Sequence, residues 1–196
     1  MKNFHIKPII FLTLILILCS CSRTGPSRFY ILSSFSDAGS VLSKSSLIIG
    51  VGPVDIPDYL ERPQIITRTS QNNLVLAEFD KWAGSLKHDI PLVIAENLSA
   101  VLNTDHVFVY PWKGMLPVQY QIKVEIIRFD AEPEKQAVLT AHWLILGKNG
   151  RKVLKMKKSK ISWPIKEKGY DAIVSAQSQA LAVLSHDIAS AVSAIK

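Results

Sequence analysis

Cysteine is almost absent from this chain, with two in 196 residues, at positions 19 and 21, and none beyond them. A disulfide framework, a cysteine-based metal centre and a cysteine nucleophile are therefore excluded from the body of the protein. Glycine is also sparse, at nine residues, and neither a phosphate-cradling loop nor a dinucleotide fingerprint occurs. An ATPase in any associated machinery must be another chain. The Gly-x-Ser-x-Gly elbow and the His-Glu-x-x-His pair are missing too. His88-Asp89 and His186-Asp187 are sequence neighbours, which on a helix point about 100° apart, and His142 reads as a half-buried or solvated strand residue. No enzymatic activity, cofactor or metal is expected. Lys and Arg outnumber Asp and Glu by 23 to 16, a net charge of +7. That excess is moderate, and no nucleic-acid partner is expected. No apolar run reaches the roughly 20 residues that cross a bilayer as a helix.

What is present at the start is a signal. Lys2 and Lys7 supply positive charge, residues 8–18 form an uncharged Leu/Ile-rich run, and Leu18-Cys19-Ser20-Cys21 closes it. A Cys preceded by a small residue, with Leu three positions earlier, resembles a bacterial lipobox. The resemblance implies diacylglyceryl transfer to the Cys21 thiol, cleavage before it and acylation of the new amine. Cys19 is the poorer match, because Leu18 before it is not small. Residues 1–20 are then a lipoprotein signal peptide, 21–27 a lipidated polar tether, and 28–196 a single domain. Cleavage removes two lysines and no acid, leaving a charge of about +5. Two or more acyl chains, palmitate among them, hold a protein on a membrane stably, at about 0.8 kcal/mol per buried methylene. Ser22 rather than Asp after the Cys is, under the sorting rule of enteric-type lipoproteins, the signal for the outer membrane. The expected location is lipid-anchored there, facing the periplasm.

The rest reads as alternating short elements. Arg28–Leu32 and Leu47–Val51 are expected strands, separated by a Ser-rich loop over 33–46. Gly52–Leu60 contains Pro53 and Pro57, each lacking a ladder donor, and is expected to leave the sheet as an extended connection. Gln64–Arg68 and Leu74–Leu76 flank a Gln71-Asn72-Asn73 turn. From Gly84 to Leu102, the residues Leu86, Ile90, Val93, Ile94, Leu98 and Val101 mark one helical face. Pro91 sits either in the first turn of that helix or at a kink, and Asn103 is a natural stop. Val107–Tyr110 is a further strand. Val118–Asp130 carries the clearest period of two, with Val118, Tyr120, Ile122, Val124 and Ile126 set against Gln119, Gln121, Lys123 and Glu125. Ala137–Leu146 and Arg151–Ser162 flank Lys148-Asn149-Gly150, a turn wanting positive φ at Gly150. Asp171–Ile195 aligns Ile173, Ala180, Leu184, Ile188, Val192 and Ile195 on one stripe. Six or seven mostly antiparallel strands with two helices packed on one face make an α+β fold.

The order Phe29-Tyr30-Ile31-Leu32, then the stretch from Val51 to Arg68, then a hairpin, then Phe79 to Leu86 opening a helix, resembles the PqiC/YmbA lipoproteins. These are auxiliary components of ABC-type and MCE-type lipid transport. The resemblance runs from about Arg28 to the C-terminus and is densest over Ile56–Arg68, Trp82 and Leu86. It implies a non-enzymatic outer-membrane lipoprotein partnered by an MCE protein of PqiB type in a phospholipid transport system that supports membrane integrity. Homo-oligomerisation, which would make the partner surface a ring, is a further expectation. The competing expectation is an assembly or structural lipoprotein serving an outer-membrane barrel or a cell-wall synthase.

Two surfaces invite a functional reading. Ile56, Pro57, Tyr59, Leu60, Arg62 and Pro63 form either a proline-stiffened docking segment, rich in the aromatic and Arg types that concentrate interface energy, or a plain crossover. Lys148, Arg151, Lys152, Lys155, Lys157, Lys158 and Lys160 place seven cations in thirteen residues with no acid. They either meet anionic headgroups or guard an exposed strand edge. Trp82 is expected as a core anchor at the helix entrance.

Overall fold

The alternation over Val118–Asp130 becomes the axis of the sheet. The computed structural model describes residues 25–35, 47–112, 116–147 and 150–195. Cys21, the signal segment, most of the Ser-rich loop, Lys148 and Asn149 lie outside the described residues. In order, the chain forms β1 (Arg28–Tyr30), β2 (Ile49–Asp55), a 3-10 turn (Asp58–Leu60), β3 (Gln64–Ser70) and β4 (Asn73–Trp82). Helix α1 (Leu86–Leu102), β5 (Val107–Val109), β6 (Tyr120–Glu132), β7 (Gln136–Gly147), β8 (Lys152–Pro164) and helix α2 (Tyr170–Ala194) follow.

All eight strands share one sheet. Along one side of β6 runs antiparallel β7, from Gln121 against Leu146 to Glu132 against Gln136, and antiparallel β8 lies beyond it. The other side of β6 is divided. β2 runs parallel to its first half, from Ile49 against Tyr120 to Asp55 against Glu125, and β3 rejoins it through the single pair Thr67 and Ala131. Outside β2 lies β5, and outside β3 lie β4 and then β1. The long ladders are antiparallel and the parallel ones short, which is the mostly antiparallel α+β sheet expected, with eight strands rather than six or seven.

Alternation places Ile122, Val124 and Ile126 in the core and leaves Glu125 exposed. α1 packs on β2 and β5, α2 on β6, β7 and β8, and the helices pack on each other. The predicted stripes are buried over Leu86, Ile90, Val93, Ile94, Leu98 and Val101 of α1, and Ile173, Ala180, Leu184, Ile188 and Val192 of α2, while Ile195, the last of the second stripe, is half-buried just past the end of α2. Trp143 of β7 is 1% exposed in the same core, and truncating such a side chain to Ala costs about 3–5 kcal/mol.

Two expectations are corrected. Pro53 does not take the chain out of the sheet, because β2 continues to Asp55. The register with β6 breaks between Val51 and Val54, so the amide Pro53 lacks is not called on by the ladder, and Gln121 Nε2 donates to the Gly52 carbonyl at 2.9 Å. Phe79–Trp82 does not open a helix, since Asp80–Trp82 extend β4 to pair with β1. Trp82 is nonetheless buried. Of the two starts open for the first helix the structure has the earlier one: α1 begins at Leu86, with Pro91 inside it, and Asn103 closes it as expected, in the left-handed region at φ 48.

Candidate docking surface

Where β2 ends, the chain steps off β6 and returns only at β3, and Ile56–Pro63 fills the gap. Pro57 sets an extended entrance, Leu60 N–H bonds the Pro57 carbonyl at 2.9 Å, and Glu61 N–H bonds that of Asp58 at 3.1 Å, closing the 3-10 turn. Ile56 and Leu60 point into the core. Between Glu125 and Ala131, among the described residues, no strand accompanies β6 on this side, and Phe129 N–H donates instead to the Tyr59 hydroxyl at 3.4 Å. Tyr59 thus stands in for a missing ladder acceptor. Burial pushes its phenol above the usual range. Pro63 accepts the Trp82 amide at 2.6 Å, and Lys87 donates to Glu61 at 2.8 Å. Of the predicted docking residues, Ile56 and Leu60 are buried, Pro57 and Tyr59 half-buried, and Arg62 and Pro63 exposed, with exposed Asp58 beside them.

Beneath this crossover lies a cluster that sequence reasoning missed. Asp130, fully buried, accepts from Arg68 Nε and Nη2 at 3.0 and 2.8 Å and from Arg128 Nε at 2.8 Å. Arg68 also donates to the Gln71 carbonyl at 2.7 Å, and Arg128 to Glu132 at 3.2 Å. The bonds to Asp130 hold the Arg68 guanidinium above its ordinary value. At Arg128 burial works the other way and is outweighed. Because β3 and β6 share one ladder pair, this charge-assisted clamp joins them. Both guanidiniums line a cleft of about 570 Å³ with Thr69, Gln71, Glu132 and Lys135. Both arginines already have anionic partners. The only signal in the sequence was two arginines and an acid in strands some sixty positions apart, which no periodicity connects.

From Lys152 onward the basic run lies on β8, whose ladder partner is β7. Arg151, Lys152, Lys155, Lys157, Lys158 and Lys160 are all exposed, but alternation divides them. Lys155 and Lys157 lie opposite core residues Ile145 and Trp143, and Lys158 and Lys160 opposite His142 and Thr140. Lys157 Nζ bonds Asp187 of α2 at 2.9 Å. Ser159, on the same face as Lys157, accepts from Trp143 Nε1 and donates to Asp187, each at 3.0 Å, so a polar chain fastens β7, β8 and α2. The run is therefore spread over both faces of a strand rather than gathered in one patch.

Among the described residues, no histidine ring pairs with a nucleophilic hydroxyl or with another histidine. His88 is 3.5 Å from Asp89, and His142 is 3.4 Å from Glu125, both at the surface. Among the described residues, no three His, Cys, Asp or Glu converge as metal ligands, and no helix is long and apolar enough to cross a membrane.

Residues 30–189 match the family described as the ABC-type transport auxiliary lipoprotein component. The chain is 23% identical over 127 residues to the intermembrane transport lipoprotein PqiC of Escherichia coli (strain K12), covering 65% of this chain and 66% of that protein, with the same figures for PqiC of Shigella flexneri. It thus spans just under two thirds of the length of these relatives. Among solved structures, an uncharacterized protein superposes with a TM-score of 0.71 at 21% identity, over 86% of this chain and 99% of the other. A protein from Xanthomonas campestris does so at 0.68 and 13%, over 82% and 92%. These likenesses establish a shared fold.

Proposed function

The chain belongs to the family of ABC-type transport auxiliary lipoprotein components, and from that premise we propose that it is a non-enzymatic outer-membrane lipoprotein serving an MCE-type lipid transport system. Residues 1–20 direct export, Cys21 carries the acyl anchor, 21–27 form the tether, and the domain from 28 to 196 faces the periplasm. There it offers a docking point to an MCE protein of PqiB type reaching out from the inner membrane, and so helps maintain membrane integrity. The carrying observation is the family match, which runs from the end of β1 to near the end of α2 and so takes in nearly the whole described fold.

Docking falls to the exposed part of the crossover, Asp58, Arg62 and Pro63. Buried Ile56 and Leu60 hold that segment rigid, and a surface fixed before contact loses less side-chain and loop entropy on binding. The test is affinity capture of the anchored protein from detergent-solubilised envelopes. Recovery of an MCE protein, weakened by Arg62→Ala, is the expected result. Recovery of a barrel or cell-wall synthase in its place would move the protein to the assembly class.

A further inference from the structure

The chain joins its fold at a point that is firmly held on the inside and apolar on the outside. Among the described residues, β1 pairs with β4 alone. On its inner side, Arg28 donates to Asp80 at 2.7 and 2.9 Å, and the Tyr30 hydroxyl does so at 2.7 Å. Just downstream, Ser33 N–H bonds Ser178 Oγ at 3.1 Å, and Phe35 N–H bonds Asn97 Oδ1 at 2.9 Å. The strand and its extension are thus fastened to the sheet and to both helices. Tyr30 and Leu32 point toward the helices, Tyr30 stacking near Tyr170 with ring centroids 6.3 Å apart. Alternation then turns Phe29 and Ile31 to the opposite face, where they are 64% and 63% exposed. Lys81 lies directly across from Phe29.

Phe29 follows Cys21 by eight residues. At no more than about 3.6 Å per residue, that length confines Phe29 to within about 30 Å of the acyl-bearing residue, whatever path the chain takes. β8 is five strands across the sheet, roughly 24 Å further at about 4.8 Å per strand.

We propose that Phe29 and Ile31 rest in the headgroup layer of the lipid surface that holds the anchor, making β1 the membrane-facing edge of the domain. This rests on the lipidation of Cys21 proposed above. The tether keeps the local concentration of lipid high around these two side chains, so a contact too weak to recruit a free protein suffices to orient a tethered one. Lys81 beside them meets anionic headgroups.

Cys21 is the last cysteine in the chain, and acylation blocks its thiol. Phe29→Cys, Ile31→Cys and, on β8, Met156→Cys therefore each introduce one reactive thiol for an environment-sensitive fluorophore. Met156 is 67% exposed and serves as the distant reference. The full-length protein, processed in its host, is labelled and reconstituted into phosphatidylethanolamine/phosphatidylglycerol vesicles containing nitroxide lipid. Labels at 29 and 31 are expected to be blue-shifted and quenched several-fold more than the label at 156, independently of protein density. Labels at 29 and 31 that remain in water, or equal quenching at 156, overturn the proposal. So does a blue shift that follows protein density without lipid quenching, which would make a second copy the occupant. The mass of the N-terminal peptide from the same preparation reports acylation separately. Unacylated protein refutes the anchor, and acylated protein with water-exposed labels refutes the membrane edge alone.

Discussion

The Tyr59 hydroxyl accepts the Phe129 amide at 3.4 Å, in the interval where β6 has lost β2 and not yet gained β3. A side chain from the crossover thereby does what a neighbouring strand does elsewhere.

Tyr59→Phe keeps the ring and removes that acceptor, leaving an amide in the sheet without a partner. The expected loss is about 1–3 kcal/mol, read as a thermal midpoint lowered by about 2–4 °C per kcal/mol for a domain of this size. Arg62→Ala, on the exposed part of the same segment, is expected to stay within about 0.5 kcal/mol of the parent while weakening capture of the MCE partner. Equal stability losses in both variants would assign the whole segment to folding.

Asp130→Ala removes the carboxylate from between Arg68 and Arg128, whose side chains are 17% and 27% exposed. Two cations are then left close together with no buried acid between them, and denaturant unfolding is expected to show a loss of about 3 kcal/mol. Because the clamp joins β3 to β6, amide exchange should accelerate first in the β3–β4 hairpin.

Acid and alkaline stability report the β1 junction. Hydrogen bonds from Arg28 hold the Asp80 carboxyl below its usual 3.8, against the opposing effect of burial. A depressed folded value stabilises above the unfolded one and is lost as pH falls through the folded one. Stability should therefore drop steeply below about pH 4, and Asp80→Asn should flatten that limb. On the alkaline side, burial and then the bond to Asp80 push the Tyr30 phenol from 10.0 up to about 12. A raised value stabilises below the unfolded one and is lost as pH rises toward the folded one, so Tyr30→Phe should flatten the decline between pH 10 and 12.

Gly52→Ala tests the bulge that keeps Pro53 in the sheet. Gly52 sits at φ +120, and a Cβ there would come within 2.7 Å of Tyr110 Cβ. Strain and crowding together should cost about 1–3 kcal/mol, measured by chemical denaturation.

Cys21→Ala should shift the protein from the membrane fraction to the soluble periplasmic one, since no other acylation site follows in the chain. Retention in washed membranes would contradict acyl anchoring.

The two helical stripes, the axis strand and the hairpin turns were legible because each is a local repeat whose apolar face must be buried whatever it meets. Gly150, at φ +78, stands as its turn required. The continuation of β2 through Pro53 was not legible, because a proline is harmless only where a bulge excuses its missing amide, and the bulge is set by the register with β6. The strand ending at Trp82 was missed for a similar reason. Asp80–Trp82 are extended because β1, some fifty residues earlier, lies against them.

By itself the sequence determined the class of fold, the elements that build it, and the lipoprotein signature at Cys21, since these follow from residue periodicity and short motifs. Only the tertiary structure decided that Ile56 and Leu60 serve the core while Arg62 faces solvent, that the lysines of β8 are divided between two faces, and that Arg68 and Arg128 share one buried carboxylate. Burial and charge pairing depend on which distant strands are brought together, and no local pattern along the chain encodes that distance.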